Sequence, residues 1–244
     1  MSLLSTSDIS LILSGQQILK DVSVEIEPGE IVGLIGPNGS GKTTFFNVLS
    51  GFLRPSKGTL MFHGKDITSL SAPERSRLGI GRVFQNFGIF REMTLIENVQ
   101  VALESLPKGK RPKKSEIPSI VAKTLSMVGL QEHAKKKASS LSGGQMRLLE
   151  IARTLASGKE LFLLDEPTAG VSPKMTSDVA SIIKKLKQEG KTVIIVEHDL
   201  PFIRKICDRV IVLDVGEVAL SGTPEEVHSS QKLKELYFGA DPTE

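Results

Sequence analysis

The chain has 244 residues, a hydrophobic fraction of 39%, a charged fraction of 24% and a formal net charge of +3. These values are ordinary for a globular protein with a substantial buried core, and they argue against a disordered chain. The apolar runs are far shorter than the roughly 20 residues of a membrane-spanning helix, and the first residues lack the pattern of a secretory signal. We therefore expect another protein to cross any membrane that this chain serves. The single cysteine, Cys207, excludes an internal disulfide and fits a reducing compartment.

The amino-terminal part of the chain is predicted to contain strands separated by turns. The segments "ISLILSGQQILKDVSVEIEPGE" and "GTLMFHGKDI" read as short antiparallel strands. Between them, "EIVGLIG" predicts a strand that is buried on both faces, and "KTTFFNVLSG" predicts a helix that starts at Lys42 and ends at Gly51. A strand, a glycine-rich loop and a helix in this order open a parallel α/β unit.

The rest of the chain alternates between helices and strands. A capping box of Ser71 and Glu74 predicts a helix start, and residues 87–145 show helices and loops without a convincing strand. The runs "ELFLLD", "KTVIIVE" and "DRVIVLDVG" then alternate with helical stretches, which predicts a sheet covered on both faces. A second capping box, Thr223 with Glu226, predicts a carboxy-terminal helix. The fold class is therefore predicted to be α/β, with an antiparallel fringe and a helical insertion.

The segment "GPNGSGKT", residues 36–43, matches the phosphate-loop pattern of Gly, four residues and Gly-Lys-Thr. It lies between a predicted strand and a predicted helix, which is the context that this pattern requires. The glycines let backbone N–H groups close on phosphates, the lysine reaches the β and γ oxygens, and the threonine hydroxyl can bind Mg²⁺. The predicted nucleotide-binding residues are Gly36, Pro37, Asn38, Gly39, Ser40, Gly41, Lys42, Thr43 and Thr44.

Two acids and a histidine follow predicted strands. Asp165 ends the apolar run of "LFLLDEP", where an acid that organises Mg²⁺ is expected. Adjacent strand residues point to opposite faces, so Glu166 is predicted to have a different task, as the base that polarises an attacking water. His198 follows "TVIIV" at the same sheet edge, where it can hydrogen-bond a γ-phosphate or that water. Taken alone, a histidine at such a place is more often structural.

Two further segments suit phosphate chemistry. Gln85 in "GRVFQNF" is at the start of the helical insertion, where its amide oxygen can bind Mg²⁺ or a water. The "LSGGQ" of residues 141–145 leads directly into good helix formers, and the free N–H groups and dipole of a helix start attract anions. Lysine clusters at 107–114 and 135–137 are predicted to be solvated faces, although they also suit phosphate-rich partners or lipid headgroups.

In this order, "GPNGSGKT", Gln85, "LSGGQ", "LFLLDEP" and "VEHDL" resemble the nucleotide-binding subunit of ATP-binding cassette (ABC) transporters, of which "LSGGQ" is the diagnostic signature. The resemblance implies that residues 4–227 form the ATP-binding domain. Its P-loop NTPase (RecA-like) core with an antiparallel β-subdomain would occupy about 4–86 and 146–227, and its helical subdomain about 87–145. Residues 228–244 would form a carboxy-terminal helix and tail.

The resemblance also implies residue roles and two cofactors, ATP and Mg²⁺. Glu166 would be the catalytic base, His198 the γ-phosphate switch, and Gln85 the residue of the loop that senses nucleotide and contacts the membrane partner. Thr43, Gln85 and Asp165 would hold Mg²⁺. The signature residues would bind the ATP of a second subunit, so that two subunits enclose two ATP molecules: Leu141, Ser142, Gly143, Gly144 and Gln145.

Two positions depart from the family pattern. Leu13 stands where the family usually has an aromatic residue that stacks on adenine, so base preference is expected to be loose. Ser172 stands where the family often has an aspartate at the subunit contact, so coupling between subunits is expected to differ there.

The segment "VFQNFGIFREMTLIENVQVAL" is similar to the ATPases of branched-chain amino acid importers (LivG-like) and less closely to the ATPase of lipopolysaccharide export. The expected partners are a second copy or a related ATPase subunit, transmembrane permease subunits and, for an importer, a periplasmic or extracellular solute-binding protein. The expected location is peripheral, on the cytoplasmic face of the inner membrane. The rival hypothesis is a soluble ABC ATPase that acts on nucleic acid or ribosomes, but we expect no nucleic-acid partner, because such relatives usually carry two cassettes or a long coiled-coil insertion. A small-molecule kinase would leave "LSGGQ" unexplained.

Overall fold

The computed structural model describes residues 2–83 and 88–238. It contains two sheets and a series of helices. The strands are β1 (Leu4–Leu13), β2 (Gln16–Ile26), β3 (Ile31–Ile35), β4 (Lys57–Phe62), β5 (Lys65–Asp66), β6 (Ile80–Val83), β7 (Leu161–Asp165), β8 (Thr192–Val196), β9 (Arg209–Asp214) and β10 (Glu217–Gly222). The helices are α1 (Lys42–Ser50), α2 (Ala72–Leu78), α3 (Leu95–Glu104), α4 (Ile117–Met127), α5 (Gly143–Ala156), α6 (Pro173–Gln188), α7 (Leu200–Ile206), α8 (Pro224–Ser229) and α9 (Gln231–Phe238).

The larger sheet has the strand order β10-β9-β3-β8-β7-β6. Its pairs from β9 to β6 are parallel, and β10 is added antiparallel to β9. The parallel order brings the carboxyl ends of β3, β7 and β8 to one edge, which is where ligands bind in open α/β sheets. The predicted strands over "EIVGLIG", "ELFLLD", "KTVIIVE" and "DRVIVLDVG" are confirmed. The short edge strand β6 was not predicted, because the four residues "IGRV" are too few to show the alternation of apolar and polar residues that indicates a strand.

Each face of the parallel sheet borders its own hydrophobic core. Alternate residues of a strand point to opposite faces, so Phe162 and Leu164 of β7 join one core while Leu161 and Leu163 join the other. The first core is completed by α3, α4, α5 and α6, and the second by α1 and the antiparallel sheet. This double burial explains why the parallel strands are apolar at nearly every position.

The smaller sheet is antiparallel with the order β2-β1-β4-β5. It corresponds to the short antiparallel strands predicted for the amino-terminal part of the chain. Both predicted capping boxes are present, at the starts of α2 and α8. In residues 88–142, before α5 begins, the structure has α3, α4 and short 3₁₀ turns, and the only strand-like pairing in that range is one isolated bridge between Thr94 and Lys137. The α/β fold class is confirmed. Among the described residues, no helix is both long and apolar enough to cross a membrane.

Candidate active site

The phosphate loop joins β3 to α1 through glycines whose backbone other residues rarely adopt. Gly39 and Gly41 have φ angles of 82° and 100°, and Gly41 is the residue that precedes the first turn of α1. A Cβ atom on Gly36, at φ 148°, would lie 2.1 Å from the carbonyl oxygen of Leu213. Only glycine fits there, because that neighbour is backbone and cannot turn away. The loop therefore presents backbone N–H groups at the start of α1.

Lys42 folds back over this loop. Its Nζ donates hydrogen bonds of 2.8 Å to the carbonyl oxygens of Gly36 and Pro37. Burial lowers the pKa of the ammonium group, and the nearby Glu166 carboxylate opposes that shift. The hydroxyl of Ser40 is buried with no hydrogen-bond partner among the described residues. An ammonium group that donates to two carbonyls and a hydroxyl without a partner among the described residues fit a phosphate group, whose oxygens would accept from both.

Asp165 ends β7 at the same edge and is only 8% exposed. One of its oxygens, Oδ2, accepts a hydrogen bond of 2.9 Å from Arg82 of β6. Arg82 also donates to the side chains of Asn47 and Ser50 on α1. The orientation of the carboxylate is thus fixed by an arginine on β6, three strand positions from β3, the strand that leads into the phosphate loop.

Glu166 follows the last residue of β7 and leaves the strand direction. Its φ is +47°, an uncommon value for a residue with a side chain, and its N–H donates to the carbonyl of Val196 at 2.9 Å. This turn directs the carboxylate toward His198, whose Nε2 lies 3.2 Å from Glu166 Oε1. Both side chains remain partly exposed, at 26% and 45%. The two predicted residues therefore meet where solvent can reach them.

The signature segment forms a separate helix start. Ser142 caps α5: its Oγ accepts from the N–H of Gln145 at 3.3 Å, and its own N–H donates to Gln145 Oε1 at 3.0 Å. Leu141 is buried, whereas Ser142 and Gly143 are exposed. Within residues 2–83 and 88–238, no hydrogen bond joins this segment to the phosphate loop. Its exposed face is available to another molecule.

Three further predicted positions have different outcomes. Gln85 lies outside the described residues, so its role stays a prediction. Leu13 ends β1 beside the β1–β2 turn and is 38% exposed, as a contact to a ligand requires. Ser172 caps α6, and its Oγ accepts from the N–H of Met175 at 3.4 Å. Serine at this position therefore has a local structural role.

Sequence reasoning missed several residues around the site. Glu197 carried a usable signal, because it is a charge directly after an apolar strand run, whereas Arg82 lies in a run that is too brief to be predicted as a strand. Thr168 and Tyr237 carried none. The Tyr237 hydroxyl of α9 accepts a hydrogen bond of 2.9 Å from the N–H of Gly36, which is 201 residues away in the sequence.

Comparison with known proteins identifies the family. The model of the ABC transporter family matches residues 19–169, which include the phosphate loop, the signature and the strand that ends in Asp165. The chain belongs to the ABC transporter family. As an ATP-binding protein of this family it is an ATPase that serves transport, and the expected family, fold class and enzyme class are confirmed.

The ABC transporter relatives cover nearly the whole chain. The high-affinity branched-chain amino acid transport ATP-binding protein LivG of Escherichia coli K12 is 37% identical over 250 residues, which cover 97% of this chain and 98% of LivG. The lipopolysaccharide export system ATP-binding protein LptB of Acidithiobacillus ferridurans is 38% identical over 224 residues, which cover 91% and 90%.

Solved ABC transporter structures agree with the fold. The ADP conformation of the ATP-binding cassette MJ1267 matches with a TM-score of 0.88 at 33% identity, covering 98% of this chain and all of that one. The dimeric post-hydrolysis state of the cassette MJ0796, bound to ADP and phosphate, matches with a TM-score of 0.79 at 30% identity, covering 91% and 98%.

Proposed function

We propose that this ATPase powers the import of branched-chain amino acids through separate permease subunits. Relatives named for that transport match the chain over nearly its full length. The protein would bind peripherally at the cytoplasmic face of the inner membrane, and a solute-binding protein would deliver the amino acid from outside. The permeases would cross the membrane, since none of the described helices is suited to do so.

One observation carries the proposed site: Lys42, Glu166 and His198 converge from three different strand ends of one sheet edge. Glu166 lies 3.2 Å from His198, and its carboxylate acts electrostatically on Lys42. We assign Lys42 to the β- and γ-phosphates of ATP, Glu166 to the attacking water and His198 to the γ-phosphate. These are the positions that in-line phosphoryl transfer requires.

The donor set beside the loop suits Mg²⁺. Thr43 presents an exposed hydroxyl and Asp165 a carboxylate at the end of β7, and both are oxygen ligands of the kind that Mg²⁺ prefers. We assign Thr43, Asp165 and Gln85 to this ion. When bound, Mg²⁺ neutralises charge on the β- and γ-phosphate oxygens. The described residues hold no group of three or more His, Cys, Asp or Glu that could bind a metal alone, so the phosphates themselves would complete the site.

Hydrolysis follows from these positions. Glu166 accepts a proton from water while the water oxygen forms a bond to the γ-phosphorus, and the bond to the bridging oxygen of ADP breaks. Lys42 holds the γ-phosphate oxygens as their charge redistributes. ADP and phosphate leave, and the proton on Glu166 returns to solvent. The electron pairs and protons balance without another reactant.

The second half of each site would come from a partner subunit. At the start of α5, the exposed Gly143 offers its N–H group and the exposed Ser142 its hydroxyl to an anion, and neither has a hydrogen bond to the loop of its own chain. We propose that two subunits, identical or related, place each signature on the ATP of the other. The helical subdomain over about 87–145 would pass closure of this dimer to the permeases, although α5 itself runs across its carboxy-terminal limit.

The dimer and the catalytic base are tested together with two variants. Losing a general base costs about 10²- to 10⁴-fold in rate while leaving binding contacts in place. The Glu166→Gln protein is therefore expected to bind ATP, to hydrolyse it slowly and to elute as a dimer with ATP and Mg²⁺ in size-exclusion chromatography. Lys42→Ala, the matched control, is expected to lose nucleotide affinity and to remain monomeric. A monomeric Glu166→Gln protein under saturating ATP would contradict the sandwich arrangement.

The transported solute is tested in cells. Deleting the gene is expected to abolish uptake of radiolabelled leucine, and wild-type protein but not Glu166→Gln is expected to restore it. Lipopolysaccharide export is the second candidate, favoured by the similarity to LptB. Normal leucine uptake together with loss of lipopolysaccharide from the cell surface would select that candidate instead.

A further inference from the structure

A buried carboxylate joins the two turns that carry Glu166 and His198. Glu197 follows β8 directly and is only 4% exposed. Its Oε1 accepts two hydrogen bonds from Thr168, one of 2.8 Å from the backbone N–H and one of 2.6 Å from the hydroxyl. Its Oε2 accepts the backbone N–H of His198 at 3.2 Å. A single side chain therefore fixes both turns.

The position of this contact in the chain connects it to the hydrolysis site. Thr168 lies two residues after Glu166, and Glu197 directly precedes His198. The hydrogen bonds thus join positions within two residues of Glu166 and His198, whose side chains meet at 3.2 Å. A shift of either turn would change that distance directly.

The turn after Glu166 needs such support, because its backbone is strained. A residue other than glycine at a φ of +47° persists only where its surroundings hold it. The N–H of Glu166 is bound to the carbonyl of Val196, and the N–H of Ala169 to the carbonyl of Glu166 at 3.2 Å. Thr168 contributes a further fixed point through Glu197, and this contact depends on side chains.

An ionised carboxylate is the side chain that fits all three donors. A carboxylate accepts at both oxygens, whereas an amide would direct its NH₂ group at a donor on one side. Burying the charge is costly without compensation. Compensation comes from Thr168 and from Arg147 of α5, whose guanidinium is buried and interacts electrostatically with Glu150, Asp165 and Glu197. Burying a charged carboxylate costs free energy that an apolar side chain would not, so packing alone does not explain a glutamate at this position.

We propose that Glu197, acting through Thr168, is a positioning residue for ATP hydrolysis. It holds the Glu166 turn and the His198 turn at the separation at which both side chains face one water and one γ-phosphate. The proposal rests on the roles assigned to Glu166 and His198 above. Glu197 acts by holding the two turns and not by contacting ATP or the water.

The test removes the hydroxyl while keeping the shape of the side chain. Thr168→Val loses one hydrogen bond to Glu197 and is expected to lower kcat about 10- to 100-fold, because small misplacement of reacting groups has effects of this size. KM for ATP is expected to stay unchanged, since among the described residues neither side chain has a hydrogen bond to the phosphate loop. Thr168→Ser, which restores the hydroxyl, is expected to recover most of kcat. Equal kcat in the valine, serine and wild-type proteins would overturn the proposal.

A matched control separates positioning from stability. Thr192 begins β8, is fully buried and accepts the N–H of Gly29 at 2.9 Å through its hydroxyl. It lies about 16 Å from Glu197 along the same strand. Thr192→Val is expected to lower the unfolding temperature without changing kcat. A purely structural Thr168 would behave like this control, with a lower unfolding temperature and full kcat in the folded fraction, and that result would also contradict the proposal.

A double variant tests whether the two residues act as a unit. Glu197→Gln is expected to lower kcat about as much as Thr168→Val, and the combination is expected to cost little more than the worse single change. Additive losses would contradict action through Thr168. If Glu197→Gln does not fold, the Thr168 series decides alone.

Failure of this proposal and of the proposed function give different results. If Glu166→Gln hydrolyses ATP at the wild-type rate, the assigned base is wrong and the function proposal fails first. If Glu166→Gln is inactive but Thr168→Val keeps full kcat, only the positioning role is wrong. Saturating ATP should still produce the dimer when Thr168→Val is combined with Glu166→Gln, which shows that binding is intact.

Discussion

Three acids at one sheet edge differ because their surroundings differ. Asp165 is buried and paired with Arg82, Glu166 is partly exposed against His198, and Glu197 is buried among three donors. An acid that is already paired is fixed in place, whereas a partly exposed one can exchange a proton with solvent. The proposed division of tasks between organising Mg²⁺, activating water and positioning the turns therefore rests on these environments rather than on the residue type.

A prediction at the residue scale concerns Leu13. A leucine lacks the aromatic face that stacks on a base, and an added aromatic contact is worth about 1 kcal/mol beyond its area. Leu13→Tyr is therefore expected to strengthen ATP binding about 5-fold and to raise the preference for ATP over a nucleotide with a smaller base. The measurement is a titration of fluorescent ATP analogue with competing ATP and CTP.

The control for that change is Leu78→Tyr. Leu78 is 42% exposed and ends α2, directly before the amino end of β6 and thus away from the phosphate loop. This variant is expected to bind nucleotide like the wild type. Equal affinities of all three proteins would show that Leu13 does not contact the base.

At the scale of elements, the carboxy-terminal helices α8 and α9 pack in the same core as β3, the strand that leads into the phosphate loop. Leu233 of α9 and Val227 of α8 join the core that contains Ile35, the last residue of β3. Tyr237 then accepts the N–H of Gly36, so the first residue of the phosphate loop depends on the last described helix. Burial raises the pKa of the Tyr237 hydroxyl, and the Gly36 N–H opposes that shift. The hydroxyl stays neutral at physiological pH.

This contact supplies a spectroscopic prediction. The chain has one tyrosine and no tryptophan, so its intrinsic tyrosine fluorescence comes from Tyr237 alone. A phosphate bound at the loop would change the surroundings of the Gly36 N–H, and the emission of Tyr237 is therefore expected to change on addition of ADP and to saturate with the binding curve. Lys42→Ala serves as the control with an intact tyrosine. Unchanged emission at saturating ADP in the wild type would mean that α9 does not sense the loop.

At the scale of the whole molecule, one parallel sheet separates two hydrophobic cores. Cys207 lies at the end of α7 in the larger core and is 9% exposed. A Cβ on Gly33 of β3 would lie 3.1 Å from its Sγ, so the thiol packs against the strand that leads to the phosphate loop. Burial raises the pKa of the thiol strongly, with a smaller contribution from Asp208. The thiol is therefore unreactive in the folded protein, because the thiolate is the nucleophile.

Alkylation of Cys207 is accordingly expected to report global opening. A ligand at 100 times its Kd stabilises the native state by about 2.7 kcal/mol, which corresponds to about a 100-fold slower labelling rate. The measurement is the rate of iodoacetamide labelling with and without saturating ADP, and the same comparison in Lys42→Ala should show no slowing. If the labelling rate of the wild type is the same with and without ADP, Cys207 is exposed by local opening near α7 instead.

The sequence by itself determined the features that lie within contiguous segments. The phosphate loop, the Asp165–Glu166 pair, the capping boxes and most strands follow from local backbone preferences and from spacing over a few residues. Their shared sheet edge also follows, since parallel strands end on the same side.

Only the tertiary structure decided which side chains meet across the fold. Thr168 and Glu197 are 29 residues apart, Arg82 and Asp165 are 83 apart, and Gly36 and Tyr237 are 201 apart. These contacts depend on the strand order β3-β8-β7-β6 and on where α9 packs, and no local pattern encodes that order. Hydrophobic periodicity indicates which face of an element is buried but not which partner covers it, so the residues that hold the proposed catalytic groups in place became visible only in the assembled sheet.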